Sequence, residues 1–158
     1  MQYEDIWQIQ DEIASAVNSH FGITTQDMIE QSSNLDMDKT KILFICLGNI
    51  CRSPAANAIM QKYIDDAELT DKFYIDSAGI GPWHVGQLPD KRMRQHGARR
   101  GYRIDHIARQ FDARHDFDDF DYIVVMDDEN YHDICRKAHS EADRRKVIRM
   151  ADYFTKYK

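Results

Sequence analysis

The chain has 158 residues, 42% hydrophobic and 30% charged, with a formal net charge of −6, which suits one compact domain with a sizeable core. No apolar run approaches the roughly eighteen residues of a membrane span, the acidic start Met1-Gln2-Tyr3-Glu4-Asp5 predicts no secretory signal, and three cysteines, an odd count, fit a reducing cytoplasm. The seven histidines are scattered and neither Cys-x-x-Cys nor His-Glu-x-x-His occurs, so neither a metal nor another cofactor is expected.

Charge divides the chain. Residues 1–38 hold eight acidic side chains and no Lys or Arg, which leaves all 21 basic side chains and 19 of the 27 acidic ones for residues 39–158. The acidic stretch speaks against a nucleic-acid partner. Within it Ile6, Ile9, Ile13 and Val17 recur at helical spacing over residues 3–20, Phe21-Gly22 reads as a stop, and Thr24-Thr25-Gln26-Asp27 as a second helix start. Residues 1–38 are thus expected to form an acidic helical extension, and residues 39–158 an α/β domain.

That domain opens with a predicted strand over Lys41–Cys46, whose apolar run Ile42-Leu43-Phe44-Ile45 is that of a strand buried on both faces. It leads into Cys46-Leu47-Gly48-Asn49-Ile50-Cys51-Arg52-Ser53-Pro54, and a helix is predicted over residues 54–67. A short curl before a helix aims successive backbone N–H groups into one concavity, and the helix dipole adds positive potential there. The backbone of Leu47, Gly48, Asn49, Ile50 and Cys51 is therefore expected to bind phosphate, with Arg52 as a bidentate, charge-assisted clamp. The same field favours Cys46 as a thiolate nucleophile. Ser53 is placed to donate to the sulfur, and Pro54 suits a first helical turn. Cys51, five residues after Cys46, is within disulfide reach if the curl is tight, as a redox guard or as a small packing residue.

Further on, a second strand is predicted over Phe73–Asp76, followed by a loop over Ser77–Leu88 whose glycines favour an exposed Trp83. Pro89 to Arg100 reads as a helix with Asp90 in its first turn and with a solvated basic face. Asp116, Asp118, Asp119 and Asp121 read as solvated loop carboxylates. A third strand follows over Asp121–Met126, after which Asp127 opens a helix to about Ala138, with Cys135 in a packing role. Lys146–Met150 is a short fourth strand. Alternating strands and helices imply an open four-stranded parallel sheet with helices on both faces, a doubly wound fold. Ligands bind such sheets beyond the carboxyl ends of the strands, where Cys46 and Asp127 both fall.

The stretch Cys46–Pro54 resembles the phosphate loop of low-molecular-weight protein tyrosine phosphatases. The resemblance continues in family order through Asp76-Ser77-Ala78-Gly79, Trp83-His84-Val85-Gly86, Leu88-Pro89-Asp90, His106-Ile107-Ala108-Arg109-Gln110 and Phe120-Asp121-Tyr122 to Met126-Asp127-Asp128-Glu129-Asn130. It implies hydrolysis of protein phosphotyrosine through a phosphocysteine on Cys46, with Arg52 as clamp and Ser53 assisting the thiolate. It also implies that Asn49 holds a strained loop backbone braced by Ser77 and His106, that Trp83 is a wall of the substrate slot, and that Cys51 captures an oxidised Cys46. A bacterial tyrosine kinase is the partner expected by the same resemblance.

The family's general acid is an aspartate in an Asp-Pro-Tyr-Tyr-like segment. No Asp-Pro dipeptide occurs among the 158 residues, so the general acid is unassigned, and esters with poor leaving groups are expected to lose roughly 10²–10⁴-fold in rate. The family's closing helix is also unmatched. The helix at residues 3–20, or a second copy of the chain in a homodimer, is the expected cover for that face. The alternative function is a pseudophosphatase that binds phosphotyrosine without turnover. An arsenate reductase needs two cysteines beyond the loop, and only Cys135 is present.

Overall fold

The structure is a computed structural model, described here over residues 39–153; the helices expected in residues 1–38 lie outside that range. Its elements in chain order are β1 (Thr40–Cys46), α1 (Arg52–Asp66), a 3-10 turn (Thr70–Lys72), β2 (Phe73–Gly79), α2 (Lys91–Arg99), α3 (Asp116–Asp119), β3 (Tyr122–Val125), α4 (Asp128–Arg136), α5 (Glu141–Arg145), β4 (Val147–Arg149) and a closing 3-10 turn (Met150–Tyr153). The strands form one sheet in the order β2-β1-β3-β4, with every neighbouring pair parallel. This is the open, doubly wound α/β arrangement expected from the alternation of elements.

Strand β1 is central, and its side chains divide by parity between two cores. Ile42, Phe44 and Cys46 join Ala55, Ile59, Met60 and Ile64 of α1 and Met93 of α2. Leu43 and Ile45 face the other way, onto Phe111, Phe117, Ile123, Val125 and Ile134. All four residues from Ile42 to Ile45 are fully buried, each contributing about 1.5–3 kcal/mol of burial. A strand so enclosed holds the Cys46 position rigidly at its carboxyl end.

Strand β2 runs on to Gly79, three residues past the expected end at Asp76. Ser77 and Ala78 are fully buried, and Gly79 donates to the Arg109 carbonyl and accepts from the Phe111 N–H at 2.8 and 2.7 Å. The returning chain thus extends the sheet over residues whose composition reads as loop. Gly79 is required by crowding: a Cβ there would lie 2.9 Å from the Gly48 carbonyl carbon and 3.0 Å from the Asn49 nitrogen.

Asp90 and Asp127 both precede their helices as N-caps. Asp90 accepts from the Arg92 and Met93 N–H groups at 3.0 and 3.2 Å, and Asp127 from Asn130 at 2.7 Å. Each satisfies donors that the first helical turn leaves open.

Candidate active site

Between β1 and α1 the chain curls through Leu47–Cys51, and a second segment, residues 80–90, rides on the outside of the curl. Ile80 donates to the Cys46 carbonyl at 3.0 Å, Gly81 to the Leu47 carbonyl at 2.9 Å and Asp90 to the Ile50 carbonyl at 2.7 Å. In a trans peptide the N–H points opposite to the C=O, and no described peptide bond is cis. The N–H groups of Leu47, Gly48 and Cys51 therefore face away from this strap. Among the described residues none of the N–H groups of Gly48, Asn49, Ile50 and Cys51 donates a backbone hydrogen bond. No side chain caps α1, whose N-cap is Cys51. The result is a concave set of open donors under a positive helix end, a nest for an oxyanion.

Cys46, 3% exposed, stands where β1 enters this curl. Its Sγ lies 3.0 Å from the Ser53 Oγ, and Ser53 is itself fully buried on α1. The hydroxyl can donate to an ionised sulfur.

Asn49 has φ 57°, a left-handed backbone that costs a non-glycine residue about 1–2 kcal/mol. Its fully buried side chain is held by four hydrogen bonds: Nδ2 donates to Ser53 Oγ at 2.8 Å and Ser77 Oγ at 3.0 Å, and Oδ1 meets His106 Nε2 at 3.1 Å and the Arg109 N–H at 3.0 Å. The Arg109 N–H identifies the amide oxygen, so His106 must donate from Nε2 to the same atom. Its Nδ1 then faces Asp76 Oδ1 at 3.5 Å. Burial pushes the His106 pKa below its ordinary value, against the pull of Asp76. Sequence, strain and bracing meet here: Asn49 supplies the bend, and Ser77 and His106 hold it.

Behind this brace lies a charge network that the sequence reading missed. Arg109 donates through Nε to Asp76 at 3.0 Å and through Nη1 and Nη2 to Asp116 at 3.0 and 3.3 Å. Asp116 also accepts from the Asp112 N–H at 2.7 Å and is only 5% exposed, which corrects its expected place among the solvated carboxylates. Burial works against the Arg109 charge, but Asp116 and Asp76 outweigh it and raise its pKa further. The sequence signal was the His106–Gln110 stretch itself, in which Arg109 carried no assigned role.

Arg52, at the first position of α1, donates through Nη1 to Asp127 Oδ2 at 2.9 Å. Burial alone would push the Asp127 carboxyl up; the Asn130 N–H and the Arg52 guanidinium more than offset that and hold it below the usual carboxylate range. Asp127 thus serves α4 as a cap and fixes Arg52 by one oxygen each. Trp83 is 64% exposed and Leu47 47%, so both offer apolar surface beside the curl. His84 packs against Gly48, where a Cβ would come within 2.9 Å of its Cδ2. All three described cysteines are free. Burial, with the neighbouring Cys46 and Asp90 charges, pushes the Cys51 thiol up to about 11. Cys135 sits on α4, away from the curl, packed against the second core.

Residues 41–158 match the family model described as low molecular weight phosphotyrosine protein phosphatase. A Synechocystis protein provisionally named a low molecular weight protein-tyrosine-phosphatase is 47% identical over 117 residues, 74% of each chain. The low molecular weight phosphotyrosine protein phosphatase of Rattus norvegicus is 42% identical over 104 residues, which span 66% of this chain and 65% of the rat protein. Among solved structures, a protein tyrosine phosphatase from Entamoeba histolytica with Hepes in the active site superposes with a TM-score of 0.72 at 46% identity, covering 76% of both chains.

Proposed function

Because the chain belongs to the low molecular weight phosphotyrosine protein phosphatase family, we propose that it hydrolyses phosphotyrosine in proteins through a phosphocysteine on Cys46. The supporting observation is the coincidence of a buried sulfur, open backbone donors and a fixed guanidinium on the seven residues Cys46–Arg52. In the first step the Cys46 thiolate attacks phosphorus, forming S–P as the bond to the tyrosine oxygen breaks. In the second, water attacks phosphorus, the S–P bond breaks and phosphate leaves. The N–H groups of Leu47–Cys51 and the Arg52 fork hold the equatorial oxygens as their charge redistributes, and Ser53 donates to the sulfur when it departs.

The leaving tyrosine oxygen needs a proton, and no described carboxyl is assigned to it. Turnover by these residues should therefore depend steeply on the leaving group. Initial rates on 4-nitrophenyl phosphate and on a phosphotyrosine peptide test this. Hydrolysis of both is expected, the activated ester being faster by about 10²-fold or more. Equal rates would show that a proton donor operates; peptide binding with no turnover of either ester would replace the enzyme by a binding module.

Cys51 adds a redox role to the same reading. Peroxide converts the Cys46 thiolate to a sulfenic acid; the Cys51 thiol attacks that sulfur, water leaves and a disulfide remains. After a peroxide pulse and thiol treatment the wild type should recover most of its activity and Cys51→Ala only a minor fraction. Equal recovery would remove the role. A reducing cytoplasm suits both cysteines, and no helix of the described residues is long and apolar enough to cross a membrane.

A further inference from the structure

Helix α2 carries Lys91, Arg92, Arg94 and Arg99 and no acidic side chain. Its buried face is Met93 and Gly97; Lys91, Arg92 and Arg99 are exposed, as is Arg100 just beyond. Charge of one sign gathered on a face is an electrostatic footprint for a partner of the other. Lys91 and Arg99 form no ion pair with any described residue, whereas Arg103 is matched by Asp105 at 2.8 Å. The face is also tied to the active site: Asp90, the cap of α2, donates to the Ile50 carbonyl of the phosphate loop, so the row of cations begins at the loop's rim.

The complementary charge is in the same chain. Residues 1–38 hold eight acidic side chains and no basic one. They join the domain at Lys39, and from there β1 covers about 23 Å to Cys46 at ~3.3 Å per residue. A 38-residue segment spans about 57 Å even if wholly helical, so its length suffices to reach α2. We propose that residues 1–38 dock on the basic face of α2, held chiefly by charge.

The test reads the extension rather than catalysis. Glu4, Glu12 and Glu30 are cleavage sites for a glutamyl endopeptidase, and cleavage follows the population of the undocked form when closing is fast. On the full chain, Lys91→Glu/Arg99→Glu should speed cleavage at these sites about fivefold or more at low salt, and Lys91→Gln/Arg99→Gln should do so to a smaller extent. Raising the salt should bring the wild type up to the variant's rate. A free peptide of residues 1–38, cleaved alongside, corrects for effects of salt on the protease. Protection that neither salt nor the substitutions relieve would overturn the proposal in favour of apolar seating. Wild-type cleavage as fast as that of the free peptide would overturn it too, leaving α2 open to an acidic partner in trans.

Discussion

Cys46→Ser is expected to lower the turnover of any aryl phosphate by at least about 10⁴-fold while leaving phosphotyrosine binding within a few-fold of the wild type. The two residues differ by one atom, and the site around that atom is closed: Cys46 is 3% exposed and the Ser53 Oγ lies 3.0 Å from its sulfur. A serine fits without disturbing the loop. Its hydroxyl stays protonated at neutral pH, however, and among the described residues its hydrogen-bond partner is the Ser53 hydroxyl, not a base. Neither the open N–H groups nor Arg52 is altered, so the oxyanion still has its donors. Steady-state rates give the first quantity and calorimetric titration with a non-hydrolysed phosphotyrosine peptide the second. Acid quench of the wild type during turnover should trap phosphate on sulfur. Residual turnover within about tenfold of the wild type would place the phosphoryl acceptor elsewhere.

Arg52→Lys is expected to reduce kcat/KM about 10²–10³-fold, although charge is retained. The guanidinium satisfies two demands at once. One nitrogen donates to Asp127 at 2.9 Å, and the rest of the planar fork, which no other described residue engages, can grip two oxygens of one phosphate. An ammonium has no fixed fork and must choose between carboxylate and phosphate. The inhibition constant of inorganic phosphate should rise in parallel, since the same oxygens are held in product and transition state. A variant with wild-type phosphate affinity and wild-type kcat/KM would remove Arg52 from the clamp. Asp127→Asn, which keeps the size of the partner and removes its charge, should show a smaller loss of the same kind.

The contiguous part of the site was legible because its chemistry is local. Cys46, Arg52, Ser53 and the backbone between them are brought together by one curl, and the curl is announced by an apolar strand before it and a helix after it. The resemblance placed Asn49, Ser77 and His106 together, and the four hydrogen bonds on the Asn49 amide show why they belong together. The contacts of Arg109 were not legible. Asp76 lies 33 residues before it and Asp116 seven after, and only the pairing of Gly79 with the Gln110 segment brings the three together. Asp116 stands among three other aspartates in six positions, and composition could not separate the one buried carboxylate from its solvated neighbours. The end of β2 was obscured for a related reason: Ser77 and Gly79 fit their contacts with Gly48 and Asn49 rather than strand propensity, so local preference understates the strand.

The strap over residues 80–90 touches the Leu47–Cys51 curl chiefly through main-chain atoms. Its three clamping bonds use the amides of Ile80, Gly81 and Asp90, and its central turn is pinned to the Ala108 carbonyl and amide by Gly86 and Gln87. None of these bonds requires a particular side chain. Val85 and Leu88, both about half exposed, can therefore be exchanged with little disturbance to the donors beneath them. Such a division lets target preference drift by point substitution while the reaction stays fixed, and the strap is accordingly the place to retune the protein toward a new phosphoprotein.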